Sequence, residues 1–185
     1  RSVLRGFMAL DAFNLENFAG TARRTCQRLL ASEAACNKGF ILASLDIDKA
    51  FLKGFTYKEP AAATGEEERL VCFKLPAGSA AILRTIEGFE DYDESRHCLE
   101  SLKAGTGTKD APRAFSLKLK KTTGGFGLQS TSFDPEFEIM KDLRTAKHVD
   151  DVNMTGKEPI IDAYVEAVKG VLGSCKVTKH SFTNC

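Results

Sequence analysis

The 185 residues are 43% hydrophobic and 28% charged, with a formal net charge of +1. That balance belongs to a folded globular chain and excludes a disordered or membranous one; no apolar run is long enough to span a bilayer. Near-neutral charge also excludes the global basic field of a free nucleic-acid binder, which leaves only local patches such as Arg1 with Arg5, Arg23 with Arg24 and Arg28, or Lys118 with Lys120 and Lys121.

At this length the chain makes one domain, or two lobes sharing one core. The first helix is expected in "TARRTCQRLLASEAACNKG", where Ala22, Cys26, Leu29, Leu30 and Ala34 recur at helical spacing and Asn37-Lys38-Gly39 supplies a stop. "FILASLDIDKAFLKG" follows as a buried strand with Asp46 at its end. "ERLVCFKLPAGS" is a second strand, closed by Pro76 and Gly78. Ser79 to Gly107 is mixed in pattern and fixes no element. "KDAPRAFSLKLKKTTGG" is a helix that Asp110 can cap, with Pro112 in its first turn and Gly124-Gly125 at its end. Two weak strands surround "FEIM" and "AKHVDDVNM". A last helix runs from Pro159 to Leu172, with Ile161, Tyr164, Val165, Val168 and Leu172 on one stripe. Strands and helices alternate without a regular βαβ rhythm, which predicts an α+β domain with a mixed or antiparallel sheet.

The six cysteines (Cys26, Cys36, Cys72, Cys98, Cys175, Cys185) contain no C-x-x-C pair, and His97, His148 and His180 complete no zinc pattern. The expectation is free thiols in a reducing, intracellular compartment. A chain that starts at Arg1 is expected to be a fragment or a processed product.

Asp150 and Asp151 stand side by side in "KHVDDVNMTG". Two adjacent carboxylates suit a polar turn, where Asp is common. They equally suit a metal site at the tip of a hairpin. If the strand ending at Asp46 neighbours that hairpin, three carboxylates gather at one end of one sheet. Hard oxygen ligands of this kind suit Mg²⁺, which takes one or two carboxylates each with water and phosphate oxygens. Two such ions about 3.5–4 Å apart support nucleotidyl transfer.

"RSVLRGF", "SLDIDKAFLKG", "GTGTKDAPRAF", "GFGLQSTSFDPEF" and "HVDDVNMTGK" occur in this order. The set resembles the reverse transcriptase of copia-type long-terminal-repeat retrotransposons, over nearly the whole chain to about Gly173. The resemblance implies the fingers and palm of a polymerase right hand, with a ferredoxin-like antiparallel palm sheet and no thumb. It implies an RNA-directed DNA polymerase with two Mg²⁺ ions, or Mn²⁺, acting on an RNA/DNA primer–template and deoxynucleotides. Asp46, with the backbone carbonyl of Ile47, and Asp150 would hold the ions, and Asp151 would be the less directly bound third acid. Phe51 would lie under the incoming sugar and exclude a ribose 2′-hydroxyl. Arg1 and Arg5 would hold the triphosphate, with bidentate guanidinium contacts. Lys109 and Arg113 would support template and nucleotide.

The chain departs from the family pattern at His148 (usually Tyr), Asp110 (Gln), Thr106 and Thr108 (Tyr and Leu) and Phe115 (Trp). Asp110 adds negative charge where a nucleic-acid backbone should pass. The rival expectation is a degenerate or domesticated, catalytically silent fragment serving a larger assembly. The partners would then be other protein subunits, or the missing thumb and RNase H parts of a polyprotein. A plain nucleic-acid-binding module is a third reading, without the aromatic and basic platform it needs.

Overall fold

The computed structural model describes residues 4, 5, 9, 18–59 and 68–180. The chain divides into two units, a small one of Phe55–Ala104 and a larger one of Arg1–Gly54 with Gly105–Cys185.

The larger unit is α+β, an antiparallel sheet packed against helices. In chain order it holds α1 (Arg24–Cys36), β1 (Phe40–Ile47) and a 3₁₀ turn at Ala50–Leu52. The small unit intervenes with β2 (Val71–Phe73), α2 (Ser79–Leu83) and β3 (Leu99–Ser101). The larger unit resumes with α3 (Ala111–Phe126), β4 (Gln129–Ser130), β5 (Phe137–Met140), β6 (Leu143–His148), β7 (Asp151–Lys157), α4 (Glu158–Leu172) and β8 (Cys175–His180). The sheet order is β4-β5-β6-β7-β1-β8, and every neighbouring pair is antiparallel. Of the two sheet types left open by the sequence, the antiparallel one is found.

β1 sits in the interior of the sheet because both its faces are apolar enough to be covered. Ala43, Leu45 and Ile47 point into the main core, with Phe115 and Leu119 of α3 and Ile161, Tyr164, Val165, Val168 and Leu172 of α4. Leu42 points the other way, onto a second core formed by Ala22, Cys26, Leu30, Phe137 and Ala146 beneath α1. Each fully buried aliphatic side chain here contributes about 1.5–3 kcal/mol. The five residues of the expected α4 stripe are all buried.

Under α3 the sheet carries a buried ion pair. Lys147 Nζ lies 2.7 Å from Glu138 Oε1 and 3.4 Å from Glu136 Oε2. The Thr123 hydroxyl donates to the same Glu138 oxygen at 3.1 Å. Truncating Lys147 would leave the Glu138 charge uncompensated in the interior, a cost of about 3–5 kcal/mol, whereas truncating Glu138 would leave Lys147 its longer pair with Glu136.

Three details differ from the sequence reading. Asp110 holds the N-cap position of α3 but makes no side-chain cap bond. Gly124 and Gly125 lie inside α3 rather than ending it; the end comes at Gly127, with φ +106. There the Leu128 N–H reaches the Thr123 carbonyl and the Gly127 N–H the Gly124 carbonyl, a left-handed closure that suits glycine. The strand β8 was not foreseen at all.

The helix α1 has no local side-chain cap. Its start is held by Asp134, 111 positions away. The Arg23 N–H donates to Asp134 Oδ2 at 2.8 Å, the Cys26 thiol donates to the same oxygen at 3.0 Å, and the Glu136 N–H donates to Oδ1 at 3.0 Å. Burial by itself raises the Asp134 pKa, but these donors outweigh it and hold the carboxyl below its ordinary value. The Cys26 thiol is pushed up to about 11 by burial and by its bond to Asp134.

In the small unit, β2 and β3 pair in antiparallel register and Thr56 bridges Lys103. Tyr92 and Ala104 are buried, while Leu70, Ile82, Ile86, Phe89 and Leu102 are exposed.

Asp134→Ala should destabilise the fold by about 1–2 kcal/mol, the range for loss of a helix cap, read as a lower urea midpoint with unchanged slope. The pH dependence has a definite sign. A carboxyl lowered in the folded state stabilises above the unfolded value of about 3.9 and loses that contribution as pH falls through the folded value. Asp134→Asn should therefore shrink the stability difference between pH 7 and pH 3.

Candidate active site at the tip of the central hairpin

β6 and β7 form a hairpin whose loop is only Val149 and Asp150. His148 is paired with Asp151 across it. Val149 has φ +58, and of the two loop residues it alone has positive φ. This is the pattern of a type II′ turn, whose first position normally takes glycine. A β-branched residue there is strained, at a cost of about 1–3 kcal/mol, which persists only where the surroundings impose it. The surroundings do so here. The Lys147 N–H donates to the Glu136 carbonyl at 3.0 Å, and its carbonyl accepts from Ala22 at 2.8 Å. Thr21 also bridges His148.

The ladders then fix a row of four residues. His148 of β6 is opposite Asp151 of β7, Asp151 is opposite Asp46 of β1, and Asp46 is opposite Lys176 of β8. Directly opposed residues share a face, so the row reads cation-capable, acid, acid, cation on the side of the sheet that carries Leu42. Asp150 stands beside this row in the turn, where its carbonyl accepts the Ile47 N–H at 3.4 Å. The expected meeting of Asp46 with the Asp150–Asp151 pair is thus present in the fold, with Asp151 rather than Asp150 as the register partner of Asp46.

Burial raises the Asp151 carboxyl above its ordinary value, and Asp150 and then Asp46 add to the rise; His148 opposes it. The two neighbouring acids thus disfavour the charged form of Asp151. Among the described residues, however, no three His, Cys, Asp or Glu side chains stand ready to hold one ion between them. The donors are all oxygen, and Mg²⁺ asks for only one or two carboxylates per ion with water and phosphate completing its shell. By donor chemistry and by charge the residues fit such an ion.

A shallow cleft of about 520 Å³ opens beside the row, lined by Gln27, His148, Asp151 and Asn153 among the described residues. Gln27 comes from the polar side of α1 and Asn153 from the next outward position of β7.

The other expected site residues are spread over the larger unit. Phe51 lies in the 3₁₀ turn after β1, half-buried against the main core. Its turn reaches α3 through Gly54: a Cβ there would stand 3.0 Å from the Phe115 nitrogen and 3.2 Å from Ala114 Cβ. Lys109 lies in the turn before α3, and Arg113 in the first turn of that helix. Arg5 is exposed, and its neighbour Leu4 donates to the Thr106 carbonyl at 3.0 Å. Arg1 lies outside the described residues.

Lys176 was missed because β8 was missed. The signal was there, since "CKVTKH" alternates Cys175 and Val177 against the core with Lys176, Thr178 and His180 outward. Asn153 and Gln27 carried no signal beyond polarity.

No protein-family model, curated protein or solved structure matches this chain. Among the described residues no helix is long and apolar enough to cross a membrane.

Two stability measurements test this geometry. Because the folded Asp151 carboxyl is raised, its ionisation weakens the fold, and the penalty is complete above the folded value. Asp151→Asn should raise the melting temperature at pH 7 by roughly 1–2 °C, a modest gain because the group is partly solvent-screened, and give no gain at pH 3. Val149→Gly removes the strain but adds chain entropy to the unfolded state, for a net gain of about 1 kcal/mol in urea unfolding. A loss of stability in Val149→Gly would mean the turn is relaxed as it stands.

Proposed function

We propose that this chain is the fingers and palm of a reverse transcriptase of the copia type, an RNA-directed DNA polymerase. The observation that carries the reading is the register that sets Asp46 opposite Asp151, with Asp150 in the strained turn beside them. The strand order adds support. β1, α3, β6, β7, α4 and β8 follow one another as β-α-β-β-α-β with spatial order β6-β7-β1-β8, a ferredoxin-like arrangement. The ordered sequence blocks supply the particular family.

Asp46, Asp150 and the Ile47 carbonyl would hold two Mg²⁺ or Mn²⁺ ions, with Asp151 adding charge beside them. Such ions activate the primer 3′-hydroxyl and stabilise the leaving pyrophosphate. The chain's own residues position the reactants. Lys176 stands opposite Asp46 across the ladder, a cation in register with the acids. Arg1, Arg5, Lys109 and Arg113 supply positive charge for triphosphate and template. Phe51 would close the sugar site against ribonucleotides. The primer–template grip is thin, with Asp110 at the path of the backbone and a net charge of +1. Misplacement of the primer end by about 1 Å costs roughly 10²-fold in rate.

A second reading, a catalytically silent interaction subunit, is favoured by one observation. The small unit exposes Leu70, Ile82, Ile86, Phe89 and Leu102, and among its described residues the buried hydrophobics are only Tyr92 and Ala104, a thin core that a protein partner would complete.

Calorimetric titration with Mn²⁺ and primer extension on an RNA template separate the two. The polymerase reading expects Mn²⁺ binding that weakens by roughly 10-fold or more in Asp46→Asn and Asp150→Asn. It expects slow extension that both variants abolish. Unchanged Mn²⁺ binding in both variants would refute it and leave the interaction subunit.

A further inference from the structure

We propose that Cys72 and Cys98 form a redox-active dithiol, a reversible staple across the two strands of the small unit that small-molecule disulfides of the glutathione class oxidise. The inference is independent of the polymerase reading.

The register places the pair. Cys72 of β2 is opposite Glu100 of β3, and Phe73 is opposite Leu99. Cys98 is two positions before Glu100, so it occupies the diagonal place on the face that Cys72 shares. Exposure alternates accordingly: Cys72, Lys74, Cys98 and Glu100 are exposed, while Val71, Phe73, Leu99 and Ser101 are half-buried. Diagonal neighbours of an antiparallel pair have Cα atoms about 7–8 Å apart, with their Cβ atoms closer. Disulfides need Cα atoms nearer than about 7 Å. Cys98 precedes the first residue of β3, so the backbone that would have to close that difference lies outside the ladder. The two thiols already sense one another: the Cys98 thiol, ahead of burial and of Glu100, raises the Cys72 pKa.

The other described cysteines are placed differently. Cys26 is buried and bonded to Asp134. Cys175 is half-buried against the main core. Cys36 is exposed in the last turn of α1.

The chemistry balances as two exchanges. One protein thiolate attacks the small disulfide RSSR, forming a protein–SR mixed disulfide and releasing RS⁻. The second protein thiolate attacks the protein sulfur of that mixed disulfide, forming the Cys72–Cys98 bond and releasing the second RS⁻. Two thiols are oxidised, one disulfide is reduced to two small thiols, and the two protons pass to solvent or to RS⁻. The second step is intramolecular between groups held side by side, so the mixed disulfide is short-lived.

The test uses the full chain, reduced and then equilibrated with mixtures of oxidised and reduced glutathione. Free thiols are counted, and the cysteine pairing is read by peptide mass mapping. The expected result is loss of two thiols together, one Cys72–Cys98 cross-linked peptide, and no retained glutathione at either position. Cys72→Ser and Cys98→Ser should each convert the remaining cysteine to a stable glutathione adduct, and addition of reductant should reverse every product. The cross-link should also slow proteolytic cleavage within the small unit. Stable glutathione adducts at Cys72 and Cys98 of the unaltered chain, or preferential pairing of either with another cysteine, would overturn the proposal.

Discussion

The candidate site depends on the ladder between β1 and β7. Seven consecutive residues of β1, from Phe40 to Asp46, are matched to Lys157 through Asp151. The side-chain period of a strand is two, so a slip of one residue would turn Asp46 into the main core and bring Leu45 out to solvent. Neither is tolerable: an unpaired carboxylate in that interior costs far more than the apolar burial gained. The alternation of Ala43, Leu45 and Ile47 against Leu42 and Asp46 therefore locks the register, and the register in turn sets which acids meet. Packing and chemistry are specified by the same residues here, on opposite faces of one strand.

Much of this could be read from the residues in order. The β1 strand and the α4 stripe follow from periodicity, whereas "AKHVDDVNM" reads as a single weak strand with a turn or a hairpin tip at Asp150–Asp151, and the structure divides it into β6 and β7 at Val149 and Asp150. The neighbourhood of Asp46 and Asp151 follows once the two strands are taken to pair. Periodicity works for these elements because each buries one continuous face. It fails for β8, a short edge strand whose alternating polar residues also read as loop. It fails at the end of α3, where Gly124 and Gly125 resemble a stop but the left-handed turn comes two residues later at Gly127. It also fails for the segment from Ser79 to Gly107, which has a five-residue helix, a three-residue strand and a run of turns.

What lay out of reach is the set of interactions between distant positions. Lys147, Glu138 and Thr123 are ordinary polar residues in sequence, and only the sheet and α3 together bury them against one another. Lys176 acquires meaning as the neighbour of Asp46 only after β8 is placed at the edge of β1. Asp134, followed by Pro135, reads as a turn residue, yet it supplies the acceptors that begin a helix on the far side of the sequence. The strain at Val149 is equally invisible, because a valine in a hairpin loop looks like a continuation of the strand.

The remote cap on α1 bears on how the chain reaches its native state. A helix of 13 residues is marginal in isolation, since nucleation is costly and most of its support comes from packing. Here even the first-turn acceptor arrives 111 positions later. On the ribosome α1 emerges before Asp134, so its start has no side-chain acceptor until that segment has emerged as well. For this element the order of synthesis and the order of capping are separated: α1 is made 111 positions before the residue that holds its start. Such long-range closure raises contact order and slows folding. Until it happens, Cys26 and Leu30 remain accessible to solvent and to chaperones.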